Sequence, residues 1–101
     1  MTMNGIDWDS RVLELAIDGR KIHVPYMQAS LLSCLLERSD RYVSAGYLGE
    51  YLYGNSPDGK TPERVRVGAL MHLLRGTLEG SGLLIHNKYG AGYRVVMAMA
   101  E

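Results

Sequence analysis

The sequence predicts an α+β fold whose elements run sheet, three helices, hairpin, and three patterns carry that prediction. Near the start, Leu13, Leu15 and Ile17 alternate with Glu14, Ala16 and Asp18, the period of a strand with one buried face. In the middle, three segments space their apolar residues as helices do. At the end, Leu83-Leu84-Ile85-His86 and Tyr93-Arg94-Val95-Val96-Met97 flank a glycine-rich tip, the mark of a hairpin.

Each element has its own signal. Ile6 to Trp8 reads as a short first strand, and the strand from Leu13 ends at Asp18-Gly19, a two-residue hairpin pair. Lys21-Ile22-His23-Val24 is the returning strand, which Pro25 closes. Leu31, Leu32, Leu35 and Leu36 then predict a helix from about Met27 to Arg38. Ser39-Asp40-Arg41 breaks that pattern, and Ser44 is placed to cap a second helix that turns Leu48 and Leu52 inward. Residues 54–59, Gly-Asn-Ser-Pro-Asp-Gly, are dense in turn formers and read as a loop. The third helix has the clearest start: Thr61 as cap, Pro62 at the first helical position, and Glu63 near the positive end of the dipole. Val67, Leu70, Met71, Leu74 and Leu78 form its apolar stripe, and Gly80 and Gly82 stop it. The tip of the final hairpin is expected over Asn87-Lys88-Tyr89-Gly90-Ala91-Gly92.

Length and composition bound the function. A chain of 101 residues is expected to form one domain with one core, able to fold without metal or disulfide. The single cysteine, Cys34, has no partner within the chain and sits in an apolar run, as expected of a buried thiol in a reducing cytoplasm. No stretch reaches the ~18 apolar residues of a membrane span, and Met1 to Gly5 lacks the regions of a signal peptide.

The net charge is zero, but it is segregated. Residues 1–59 hold five Lys/Arg against eight Asp/Glu, whereas residues 60–94 hold six (Lys60, Arg64, Arg66, Arg75, Lys88, Arg94) against two (Glu63, Glu79). Any surface for an anionic partner therefore falls in the third helix and the hairpin. His23, His72 and His86 show no pair at ligand spacing, so no metal or other cofactor is expected. No phosphate-binding loop or nucleophile elbow is present, and Gly90-Ala91-Gly92 lacks the strand-loop-helix setting of a dinucleotide site. The chain does not read as an enzyme.

The ordered pieces resemble the winged helix-turn-helix effector domain of OmpR/PhoB-type response regulators from about Ile6 to Val96. The pieces that match are the Asp18-Gly19 hairpin before the Leu31-Leu32 helix, Arg41-Tyr42-Val43-Ser44 before the second helix, and Tyr53-Gly54 where the family has Trp-Gly. They also include the core rhythm Val67, Met71, Leu74-Arg75, Leu78, and the closing Gly90-Ala91-Gly92-Tyr93-Arg94 of the wing. The resemblance implies an N-terminal antiparallel sheet, three helices and a C-terminal β-hairpin wing in one domain over residues 1–101. The recognition helix (about 62–79) would enter a major groove, and the wing (about 83–97) the neighbouring minor groove.

DNA contact is then expected from Arg64, Arg66, His72, Leu73 and Arg75 on the helix, and from Lys88 and Tyr89 on the wing. The chain departs from the family where it has His72 and Leu73 for arginines, Gly76 for lysine, Tyr89 for arginine, and Met27-Gln28 for Thr-Glu. It is expected to act without a receiver domain of its own.

Two readings follow. The first is a cytoplasmic transcriptional regulator that binds double-stranded DNA, as a homodimer or in tandem. The second is a degenerate winged helix that docks on another regulator or RNA polymerase through Leu73 and the tyrosines Tyr42, Tyr47, Tyr51 and Tyr53. An exposed Leu73 would point to thymine-methyl contact or to a protein interface, whereas a rotated third helix would make it core.

Overall fold

A computed structural model describes residues 2–3, 5–54 and 67–97. The elements are β1 (Thr2–Met3), β2 (Ile6–Asp9), β3 (Glu14–Ile17), β4 (Arg20–His23), α1 (Tyr26–Glu37), α2 (Ala45–Gly54), α3 (Val67–Leu78), β5 (Leu83–Lys88) and β6 (Gly92–Met97). The first four strands form an antiparallel sheet in chain order, and the last two form a separate hairpin. This is the α+β, winged-helix order that the sequence predicts.

Asp18 and Gly19 lie at φ 48° and 78°, so both central residues of the β3–β4 hairpin are left-handed, as a twist-matched two-residue turn requires. The sheet differs from expectation at two points. It has an extra strand, β1, paired antiparallel with β2, and Gly5 ahead of β2 lies at φ 84°. Leu13 is not part of β3. It lies at φ 58°, and its carbonyl accepts the Val24 N–H at 2.9 Å, so it turns the chain instead of extending it.

The register Ile6–Ile17 and Trp8–Leu15 puts the large apolar residues of β2 and β3 on one face, where all four are buried. They cover α1, which is the central helix: Ala29, Leu31, Leu32, Cys34, Leu35 and Leu36 are buried, and it packs against α2, α3 and β6. Fully burying each leucine stabilises by about 1.5–3 kcal/mol. The Trp8 indole N–H donates to the Ser33 hydroxyl at 2.8 Å, so the ring is buried without an orphaned donor. Pro25 caps α1 by backbone alone, with ψ at 153° and no side-chain bond. Ser44 caps α2 as predicted, its hydroxyl accepting the Tyr47 N–H at 3.1 Å. For α3, the expected start at residues 61–66 lies outside the described residues.

The hairpin is tied to the helices by one strand-like joint. Val43, just before the α2 cap, exchanges two backbone hydrogen bonds with Tyr93, at 2.7 and 2.9 Å. The preceding Gly92 lies at φ 119°, and a Cβ built there would stand 2.1 Å from the Val43 carbonyl oxygen. Glycine is obligatory here for both torsion and space. Strain and clash together make Gly92→Ala cost about 3 kcal/mol in urea unfolding, and a loss below about 1 kcal/mol would show that the joint yields freely.

Candidate nucleic-acid interface

The sequence of α3 divides the helix into two sides. Val67, Met71, Leu74 and Leu78 are buried against the core. Gly68, Ala69, His72, Leu73 and Gly76 face outward and are exposed. Leu73 is 54% exposed, so the helix is not rotated to bury it.

Three contacts from distant parts of the chain hold this helix in place. The Thr77 hydroxyl donates to Gln28 Oε1 at 2.5 Å, joining α3 to α1. Gln28 is only 8% exposed, so its amide is committed to that contact. Arg20 of β4 donates to the Gly80 carbonyl at 2.8 Å, placing a cation at the negative end of α3. Arg75 donates to the Ile85 carbonyl of β5 at 3.2 Å. One such bond occupies a single donor of a guanidinium that has five, so Arg75 both braces the wing and keeps donors for an anion.

The wing tip is narrower than the sequence suggests. Asn87, Lys88 and Gly92 belong to the strands, and Tyr89, Gly90 and Ala91 make the turn, closed by the Ala91 N–H donating to the Lys88 carbonyl at 3.0 Å. Gly90 lies at φ 83°. Tyr89 protrudes from the tip fully exposed. The Lys88 ammonium lies 5.7 Å from the Tyr42 ring centroid, within cation–π range. Tyr42 also packs on His86, with ring centroids 5.6 Å apart, and shares a hydrogen bond with its Nδ1. Tyr42 is therefore a brace of the wing stem. Arg94 is another, donating from Nε to the Ser39 carbonyl at 3.0 Å. Gln28, Tyr42, His86 and Arg94 are positioning residues that sequence reading did not single out for this role. Each meets a partner far away in the chain, and no local pattern marks such pairs.

The tyrosines do not form one patch. Tyr47 lies under the Arg38 guanidinium, 4.6 Å from ring centroid to carbon, and accepts a hydrogen bond from it. Tyr51 donates to Glu37 at 3.3 Å across the α1–α2 contact. The side chain of Tyr53 lies outside the described residues, as do Arg64 and Arg66. Of the predicted contact residues, the structure brings His72, Leu73 and Arg75 together on α3, and Lys88 and Tyr89 at the wing tip.

The local electrostatics are modest. Asp40 and Arg41 form an exposed pair at 3.2 Å, and their hydrogen bonding holds the Asp40 carboxyl below and the Arg41 guanidinium above its ordinary value. Burial pushes the Cys34 thiol up, keeping it protonated and unreactive. Among the described residues, no group of three or more His, Cys, Asp or Glu is placed to hold a metal ion, and no helix is long and apolar enough to cross a membrane.

No family model and no curated protein matches the chain. Solved structures do match it. The DNA-binding domain of the response regulator AdeR, solved in complex with an intercistronic region, is 17% identical with a TM-score of 0.75, over 94% of this chain and 97% of that one. The DNA-binding domain of CpxR from E. coli is 20% identical with a TM-score of 0.71, over 98% and 97%. The C-terminal domain of the nisin resistance regulator NsrR, a lantibiotic response regulator, is 26% identical with a TM-score of 0.77, over 92% and 93%. The chain thus has the winged helix-turn-helix fold of OmpR/PhoB-type effector domains, the one its sequence resembles.

Two predictions test the local physics. Burial, reinforced by the Glu37 carboxylate, raises the Tyr51 phenol from its ordinary value near 10 to about 12. The unfolded chain loses this proton first, so the stabilisation is whole below pH ~10 and is lost as pH rises through ~12. Alkaline unfolding should therefore show a shallower fall in stability for Tyr51→Phe than for the wild type over that window. Equal slopes would mean that the phenol ionises normally.

At Gly76 the φ is ordinary and a Cβ would meet nothing within 4 Å. Gly76→Ala should accordingly raise stability by about 0.5–1 kcal/mol in thermal unfolding, and a loss would reveal a packing constraint at that site.

Proposed function

We propose that this chain is a transcriptional regulator that binds double-stranded DNA, with α3 in a major groove and the β5–β6 wing in the adjacent minor groove. The observation that carries the reading is the pairing of an exposed α3 face with a protruding wing tip, both braced from behind, in the fold of AdeR, which was solved with DNA. Arg75 and Lys88 would meet phosphates or base edges from either margin, and Tyr89 would enter the minor groove. Arg64 and Arg66, in the stretch before α3, would add contacts on the sequence argument alone. His72 and Leu73 would face the bases.

A single winged-helix domain over residues 1–101, acting in the cytoplasm and occupying DNA as a dimer or in tandem, is the form this reading takes. Few cations contribute, so binding by one copy should be weak and should fade between low and physiological salt.

The second reading, docking on another regulator or on RNA polymerase, draws support from the exposure of Leu73. It gains little from the tyrosines: Tyr42, Tyr47 and Tyr51 are already engaged with His86, Arg38 and Glu37.

Mobility shift of the purified protein on a pool of random duplexes, at low and near-physiological salt, separates the two. Selective retention that weakens with salt supports DNA binding, and absence of retention at low salt turns the search to a protein partner. Lys88→Ala should weaken binding to all duplexes alike and reduce the steepness of the salt dependence by roughly one counterion. An unchanged salt slope would remove Lys88 from the interface.

A further inference from the structure

We infer that α3 selects its site by apolar contact with thymine methyl groups, and that Leu73 is the specificity-determining side chain. This rests on the DNA-binding reading above. The outward face of α3 carries Gly68, Ala69, His72, Leu73 and Gly76. Arg75, also exposed on α3, already gives one donor to the Ile85 carbonyl, and the other five residues include no arginine, lysine, asparagine or glutamine, the side chains that make two-pronged bonds to guanine or adenine. Among the described residues, Leu73 is the one large apolar group on this face, and it is 54% exposed. The major-groove edge of a base pair offers such a side chain one apolar feature, the thymine 5-methyl.

The surroundings fit a nucleic acid better than an apolar protein surface. Arg75, on the same helix, keeps donors to spare, and Lys88 and the exposed Tyr89 lie on the wing, so cations accompany a neutral helix face. That arrangement complements a groove whose walls are phosphate and whose floor is uncharged. Gly68 and Gly76 support the same geometry. Neither needs to be glycine for the fold, since a Cβ at either would meet nothing within 4 Å. They leave the helix surface bare before and after Leu73, which lets a side chain of only four carbons reach the groove floor. His72, beside Leu73, is exposed and can offer a ring nitrogen to a base edge.

The test uses the whole chain. Duplexes are selected from a random pool at low salt, and each thymine of the selected site is then replaced in turn by deoxyuridine, which removes only the methyl. At one or two positions, wild-type affinity should fall about fourfold, the value of one buried methyl. Leu73→Ala should weaken binding to the thymine duplex and be indifferent to uracil at those same positions, because the two changes remove the same contact. The side chain is exposed and the variant keeps the fold. Selective binding that tolerates uracil everywhere, or full uracil sensitivity retained by Leu73→Ala, would overturn the inference while leaving DNA binding standing. Failure to retain any duplex at low salt overturns both.

Discussion

Two backbone hydrogen bonds between Val43 and Tyr93 determine where the wing stands, and most of what α3 and the wing do together follows from them. Each is worth only about 1 kcal/mol net. Their importance is geometric: Val43 lies directly before the α2 cap, so the bridge fixes the hairpin to the helical unit at the point where α2 begins. The close approach is possible because Gly92 has no Cβ to strike the Val43 carbonyl. Arg94 bonds to Ser39, and Tyr42 to His86, on either side of the same joint, so the segment between α1 and α2 is stitched to both strands of the wing. The Gly-x-Gly-Tyr-Arg signature then has a structural explanation residue by residue. Its first glycine makes the turn, its second admits the bridge, its tyrosine forms the bridge, and its arginine locks it.

The third helix, α3, is held by a complementary set of contacts. Buried leucine, valine and methionine set its rotation, but an apolar stripe alone permits sliding along the axis. The directional bonds at Gln28–Thr77, Arg20–Gly80 and Arg75–Ile85 oppose that sliding, and they come from α1, β4 and β5 respectively. The neutral Gln28 amide can share a hydroxyl hydrogen without burying a charge. The N-terminal sheet thereby acquires a role beyond covering α1: through Arg20 it holds the far end of the helix that would enter the groove.

Local signals were legible wherever one stretch of chain decides its own conformation. Asp18-Gly19, the Ser44 cap, the α3 stripe and the final hairpin all came from neighbours within a few residues, and all stand in the structure. The Asn4-Gly5 pair is an equally local signal, but the strand before it has only two residues, too few to show a period. The alternation through Leu13 is real, yet Leu13 turns the chain because its carbonyl accepts the Val24 N–H, eleven positions away, a contact that no local pattern encodes. The candidate site was legible only as a list of residue types. That Tyr42 would brace the wing, or that Arg75 would share its donors between β5 and solvent, depends on contacts 44 and 10 residues apart that no periodicity encodes. The tyrosines close in sequence proved to be separate in their partners for the same reason.

A chain of zero net charge is an unusual candidate for binding a polyanion, and the proposed DNA binding has to be reconciled with it. Phosphate contacts raise affinity for every sequence equally, because the backbone is the same everywhere. On the proposed reading, a small number of cations lowers binding to the correct site and to the bulk of the genome together, and leaves their ratio in the hands of base contacts such as that of Leu73. On that account a thinned basic surface costs occupancy, not discrimination. Occupancy is the quantity that a second copy restores, since two weak modules held on adjacent half-sites bind with the product of their affinities scaled by an effective concentration. A nearly neutral α3 face beside a braced wing would suit the proposed binding in pairs, in which each copy alone holds DNA only weakly.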